Sequence, residues 1–154
     1  MKMLQRQSPL PLAVVFMLAL GFTANSNCYA EKHKHINLGS GKGLPFSDGV
    51  IAGKTLYVAG QEGSDDSGKL APGGIAGETK AALENIQKVI KAAGFEMSDV
   101  VSVTVYLADI QEFGDMNKVY KEIMPDPKPA RATIQAAALV NNARIEISVI
   151  AVKQ

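Results

Sequence analysis

The sequence predicts an α+β domain in which two helices cover one face of a mixed sheet. Three observations carry this prediction. Apolar and polar residues alternate in several short runs, as half-buried strands require. Two longer windows instead repeat their apolar residues every three or four positions, as one face of a helix requires. Glycine, proline and asparagine separate these segments and set the order β-β-β-α-β-α-β-β. Two helices can cover only one face of such a sheet, so the other face needs a partner.

The first strand is expected near His35–Leu38, at the end of an arm spanning residues 31–43 that mixes charge and glycine. Val50-Ile51-Ala52 and Thr55-Leu56-Tyr57-Val58-Ala59 flank Gly53-Lys54, a reasonable hairpin signal. Gln61 to Gly74 is rich in glycine and aspartate and reads as a long polar loop. In the first helix Ile75, Ala82, Ile86, Val89, Ile90 and Ala93 share one face, and Gly94 supplies the stop. Val101, Val103, Val105 and Leu107 then alternate with Ser102, Thr104, Tyr106 and Ala108, a period-two strand.

Asp109 is placed to cap the second helix, whose stripe is Phe113, Met116, Tyr120 and Ile123, with Pro125 ending it. The last two strands, Arg131–Leu139 and Ala143–Val152, are joined by Asn141-Asn142, a pair that tolerates left-handed geometry. A simple hairpin there would set Glu146 opposite Ile134 or Gln135. The uncovered face offers alanine, threonine, serine and glutamine among its apolar residues, which favours packing against another copy of the chain.

Ahead of this domain, Lys2 and Arg6 precede an apolar run of 13 residues from Leu10 to Phe22 and a stretch ending Cys28-Tyr29-Ala30. That is the layout of a secretory signal peptide over residues 1–30, cut after Ala30. The run falls short of the roughly 20 residues that span a bilayer. A retained anchor is the alternative. Cleavage would leave 124 residues with 14 basic and 15 acidic side chains, because the leader carries two bases and no acid. The product would be exported, in the periplasm, with no membrane attachment.

A net charge of −1 provides no footprint for nucleic acid, whose binding depends on neutralising phosphates. Cys28, the single cysteine, would leave with the leader, so the mature domain has neither disulfide nor thiol nucleophile. His33 and His35 lack a third ligand, and no metal is expected.

Two residues stand out chemically. Arg131 and Glu146 each lie on a strand-like segment among apolar neighbours, where an unpaired charge is costly. If both faced one cavity, the guanidinium could hold a carboxylate by two parallel hydrogen bonds and the glutamate could hold a water. Read plainly, Arg131 is a strand-end cation paired with an acid and Glu146 an exposed strand carboxylate; the sequence leaves open whether they meet within one chain.

Six segments together resemble the RidA/YjgF family: Pro45-Phe46-Ser47, Val58-Ala59-Gly60-Gln61, Val105-Tyr106-Leu107-Ala108-Asp109, Met116-Asn117-Lys118-Val119-Tyr120, Pro129-Ala130-Arg131 and Ile145-Glu146-Ile147. The resemblance runs from Leu44 to Val152, within a domain taken as residues 44–154. It implies a chorismate-mutase-like fold, a homotrimer with pockets between subunits, and cofactor-free hydrolysis of reactive imines and enamines to 2-oxo acids and ammonia. It assigns Arg131 to the substrate carboxylate, Glu146 to the catalytic water, and Asn117 and Gly60 to the pocket.

Three pocket positions depart from many deaminating members: Phe46 stands for tyrosine, Ala59 for serine and Thr133 for cysteine. Each removes or replaces a polar group. The alternative reading is therefore a non-catalytic module that binds small 2-oxo acids. For Asn117 and Tyr120 the plain readings are a helix-surface amide and a core ring, and for Phe46 a core plug.

Overall fold

Strand alternation and helical stripes both need a common apolar layer to bury against, and the chain supplies one. The computed structural model describes residues 32–38, 43 and 45–154. Residues Glu31–Gln154 form one compact unit. The expected signal peptide and cut after Ala30 lie outside the described residues. No helix among the described residues is long and apolar enough to cross a membrane.

The strands are β1 (Lys34–Ile36), β2 (Gly49–Ala52), β3 (Thr55–Glu62), β4 (Val100–Leu107), β5 (Ala130–Gln135) and β6 (Ile145–Val152). The helices are α1 (Gly74–Ala92) and α2 (Phe113–Ile123). The sheet order is β1-β2-β3-β6-β4-β5, with β4 and β5 parallel and the other pairs antiparallel. The expected mixed sheet and its two helices are therefore present.

Both helices pack on one face. Leu56 and Val58 of β3, Val103, Val105 and Leu107 of β4, and alternate residues of β6 meet Leu83, Ile86, Val89 and Ile90 of α1 and Met116 of α2 in a single core. Each such side chain contributes roughly 1.5–3 kcal/mol by leaving water. Helix α1 ends at Gly94, whose φ of +78° admits the reversed hydrogen bonds from Gly94 N to Lys91 O and from Phe95 N to Ile90 O. Asp109 caps as expected, its carboxylate accepting from Gln111 N at 2.9 Å in the 3-10 turn Ile110–Glu112 that leads into α2.

The expected terminal hairpin does not form. β5 pairs only with β4, in parallel, while β6 inserts between β3 and β4. Asn141 and Asn142 do turn left-handed, at φ of 56° and 55°, but they connect β6 to a segment that has already left the sheet. The reason lies in β6 itself: Ile145, Ile147, Val149 and Ala151 are all buried, and a strand so apolar is best placed centrally, where both edges find hydrogen bonds. β5, reached from β4 through α2, takes the parallel edge position that a helical crossover permits. It is also shorter than Arg131–Leu139.

Three smaller differences follow from register. β1 starts and ends earlier than His35–Leu38. Val101 is exposed because the β4–β6 register shifts between Val100 and Ser102. β3 runs on to Glu62 instead of stopping at Ala59, with a second register shift between Val58 and Gln61. On the face without helices, Tyr57 and Ile134 are half-exposed, and Tyr106 and Ile150 lie beside them in the ladder.

Candidate active site

β2 pairs with β3 only as far as Val58, so the last residues of β3 have a free edge. Along that edge runs a groove of about 910 Å³. Phe46, Ala59, Gly60, Glu62, Asn141 and Glu146 are among its lining residues. Asn85 of α1 fixes the strand end from below, its Nδ2 donating to Glu62 O at 3.2 Å and Ser64 O at 2.8 Å.

Glu146 reaches this groove because it alternates with the buried Ile145 and Ile147 and so points away from the helices. Its carboxylate lies over Gly60. A Cβ at Gly60 would overlap Glu146 Oε1 and crowd its Cδ at 2.6 Å, so the close approach requires glycine. Phe46 is exposed at the groove instead of plugging the core, its ring available to a ligand.

Arg131 lies elsewhere. Its ladder partner is Val103, a core residue, so the guanidinium points to the helix face at the far edge of the sheet. Arg131 Nη2 donates to Asn117 Oδ1 at 2.7 Å, and the guanidinium carbon stands 4.4 Å from the Tyr120 ring centre and 5.6 Å from that of Phe113. An amide acceptor and two π faces hold the cation in one orientation. Thr133, two residues on, faces the same way, with its hydroxyl buried and without a hydrogen-bond partner. Tyr120 is the core ring expected, and burial pushes its phenol up, the Arg131 charge partly opposing.

The nominated residues thus fall into two groups, Phe46, Ala59, Gly60 and Glu146 at the groove and Asn117, Arg131 and Thr133 at the β5 edge. Glu146 and Arg131 lie on opposite faces of the sheet. Two strand spacings and three residues of rise separate them, roughly 14 Å before the faces are considered. Within one chain they do not meet.

One groove residue was missed. Glu62 pairs with Glu146 across the β3–β6 ladder, and Asn141 Nδ2 donates to its Oε2 at 3.2 Å. Burial pushes the Glu62 carboxyl above its ordinary value of 4.5; the Asn141 hydrogen bond opposes this, and the charges of Glu146 and Glu78 add to it. Reading residues 61–74 as loop hid Glu62. The available signal was Gly60 inside a strand pattern, which marks a bulge or a close approach. Among the described residues no group of three His, Cys, Asp or Glu side chains is placed to hold a metal.

Comparison with known proteins bears on this geometry. The endoribonuclease L-PSP family matches residues 42–153. The chain is 49% identical over 109 residues to the 2-iminobutanoate/2-iminopropanoate deaminase of Rattus norvegicus, an alignment covering 70% of this chain and 80% of that protein. The structure is similar to RidA from an Antarctic Psychrobacter, with a TM-score of 0.69 and 32% identity over 77% of this chain and 94% of the other. It is also similar to the YjgF gene product of E. coli, with a TM-score of 0.73 and 28% identity over 79% and 99%.

Proposed function

The chain belongs to the RidA/YjgF (endoribonuclease L-PSP) family, and from that membership we infer that it is a hydrolytic deaminase converting small imines and enamines to 2-oxo acids and ammonia. The observation that carries the reading is the 49% identity to a deaminase, combined with a carboxylate seated over a glycine at an open groove.

In this reading Glu146 holds water against the C=N carbon of a protonated imine. As the C–O bond forms, the water proton passes to Glu146 and the π pair moves to nitrogen. Glu146 then returns that proton to nitrogen. The C–N bond breaks, ammonia departs, and the hydroxyl proton goes back to the carboxylate as the carbonyl forms. Arg131 binds the substrate carboxylate by a two-pronged hydrogen bond, its fork oriented by Asn117 and Tyr120. Phe46, Ala59, Gly60 and Thr133 line the substrate.

Because Arg131 and Glu146 occupy opposite faces of one sheet, the reading requires a shared site: the Arg131 edge of one subunit against the Glu146 groove of its neighbour in a homotrimer. The half-exposed Tyr57 and Ile134 on the uncovered face support association there. Export to the periplasm through the 1–30 leader is part of the same proposal.

The test is release of 2-oxo acid from 2-iminopropanoate, generated in place by an amino-acid oxidase, with semicarbazide trapping free imine. Wild-type protein should outpace buffer, and Glu146→Gln should not. Tight binding of 2-oxobutanoate without turnover by the wild type would replace the deaminase with the binding module.

A further inference from the structure

The apolar stripe of α2 assigns Phe113 to the core, and the plain reading of Phe46 makes it a core plug. Neither ring is buried. Of the three phenylalanines among the described residues, only Phe95 is in the core, while Phe46 is 54% exposed and Phe113 40%. A ring left in water forgoes a large apolar burial, so two such rings in a small domain mark surface that something else covers.

Their positions say what covers them. Phe46 lies on the Glu146 groove, with Leu38 and Val140 among the other walls. Phe113 lies at the Arg131 edge. It opens the face of α2 that carries Asn117 and Tyr120 one and two turns later, and the Arg131 guanidinium carbon stands 5.6 Å from its ring centre. Tyr120, the second ring against that guanidinium, is buried. Phe113 is therefore the ring that a molecule bound to Arg131 can touch.

Arg131 keeps donors for such a molecule: its Nη2 donates to Asn117 Oδ1, which leaves most of the fork's N–H groups for a ligand. A carboxylate held in the fork places its own carbon about 4 Å from the guanidinium carbon. Substituents one or two bonds further out come to the distance at which the Phe113 ring stands. The groove, at about 910 Å³, is in the range of sites for ligands far larger than a three-carbon acid. The neighbour's β5 edge, which would narrow it, brings a further apolar ring.

We propose that Phe113 of one subunit and Phe46 of its neighbour form the pocket for the substrate's side chain, so that the enzyme prefers 2-imino acids with bulky apolar side chains over the three-carbon acid. The proposal rests on the deaminase reading and its shared site. Arg131 and Glu146 fix the reacting end, and the two rings select the group attached to it. An apolar pocket discriminates by roughly 10–200-fold for each methylene it covers.

The experiment compares kcat/KM of the full protein on imines generated in place from alanine, leucine and phenylalanine by an amino-acid oxidase, with semicarbazide trapping free imine. The leucine and phenylalanine imines should exceed the alanine imine by about 10-fold or more. Phe113→Ala and Phe46→Ala should each shrink that ratio, through KM more than kcat, and Phe113→Leu should keep most of it for the leucine imine. An alanine imine hydrolysed as efficiently as the other two overturns the proposal. So does a loss equal for all three imines in both alanine variants, which would mark the rings as subunit contacts. If Phe113→Ala does not fold, Phe46→Ala decides alone. If the wild type hydrolyses no imine faster than buffer, the deaminase reading falls, and calorimetric titration with pyruvate and 4-methyl-2-oxopentanoate decides the pocket by itself. Tighter binding of the larger acid then supports the pocket, and equal binding overturns it.

Discussion

At the β3 end of the sheet, a bulge and a glycine let two carboxylates face a groove, whereas at the β5 end a regular edge strand holds one guanidinium between an amide and a tyrosine ring. The first arrangement leaves charge uncompensated and open to a ligand, which suits proton transfer. The second satisfies and orients its charge, which suits binding. The difference shows how one small sheet can hold a carboxylate and a guanidinium on opposite faces, each fixed by its own neighbours.

The largest effect that would sharpen this contrast is loss of the base. Glu146→Gln should lower kcat by about 10²–10⁴-fold with little change in KM, measured on 2-iminopropanoate. Retained kcat would move the chemistry away from the groove. Arg131→Ala should cost about 10²-fold in kcat/KM on carboxylate-bearing imines, and lysine should restore little, because the two-pronged contact is lost. Mixing unfolded Arg131→Ala and Glu146→Gln chains and refolding them together should regain activity that neither has alone. No regain would show that the two ends do not complete one site across subunits.

Gly60→Ala should change stability little in denaturant melts, because the added methyl meets only the flexible end of Glu146, but it should displace that carboxylate and lower kcat. The smallest effect concerns pH. Since the folded Glu62 carboxyl titrates above its unfolded value, its contribution to stability is fully present below the unfolded value and is lost as pH rises through the folded one. Glu62→Gln, which does not titrate, should therefore match wild type near pH 4.5 and melt higher at pH 7, as read by calorimetry. Equal melting temperatures at both pH values would remove the strain from this end of the comparison.

Much of the fold was legible because its signals are local. The stripe Ile75, Ala82, Ile86, Val89, Ile90 and Ala93 identifies α1 by spacing alone, Gly94 ends it, and Asp109 starts the next helical segment through its own carboxylate. Gly53-Lys54 turns β2 into β3, with Gly53 at a φ of 59°. Phe46, Ala59, Gly60 and Glu146 gather at one groove, while Asn117, Arg131 and Thr133 lie at the β5 edge.

What only the tertiary structure decided is pairing. Asn141-Asn142 carries the same turn signal whether it joins two neighbouring strands or delivers β6 into the middle of the sheet. The choice was made by burial of Ile145, Ile147, Val149 and Ala151, a property of the assembled core. Glu62 makes the same point more sharply: its alternation assigns it to one face, and a one-residue slip against β6 moves it to the other. The amino-acid order by itself determined both helices, most of the strands and turns, and where the charged side chains fall along them, since each depends on near neighbours. Which of them face one another depends on contacts far apart along the chain, and those are set only when the sheet closes.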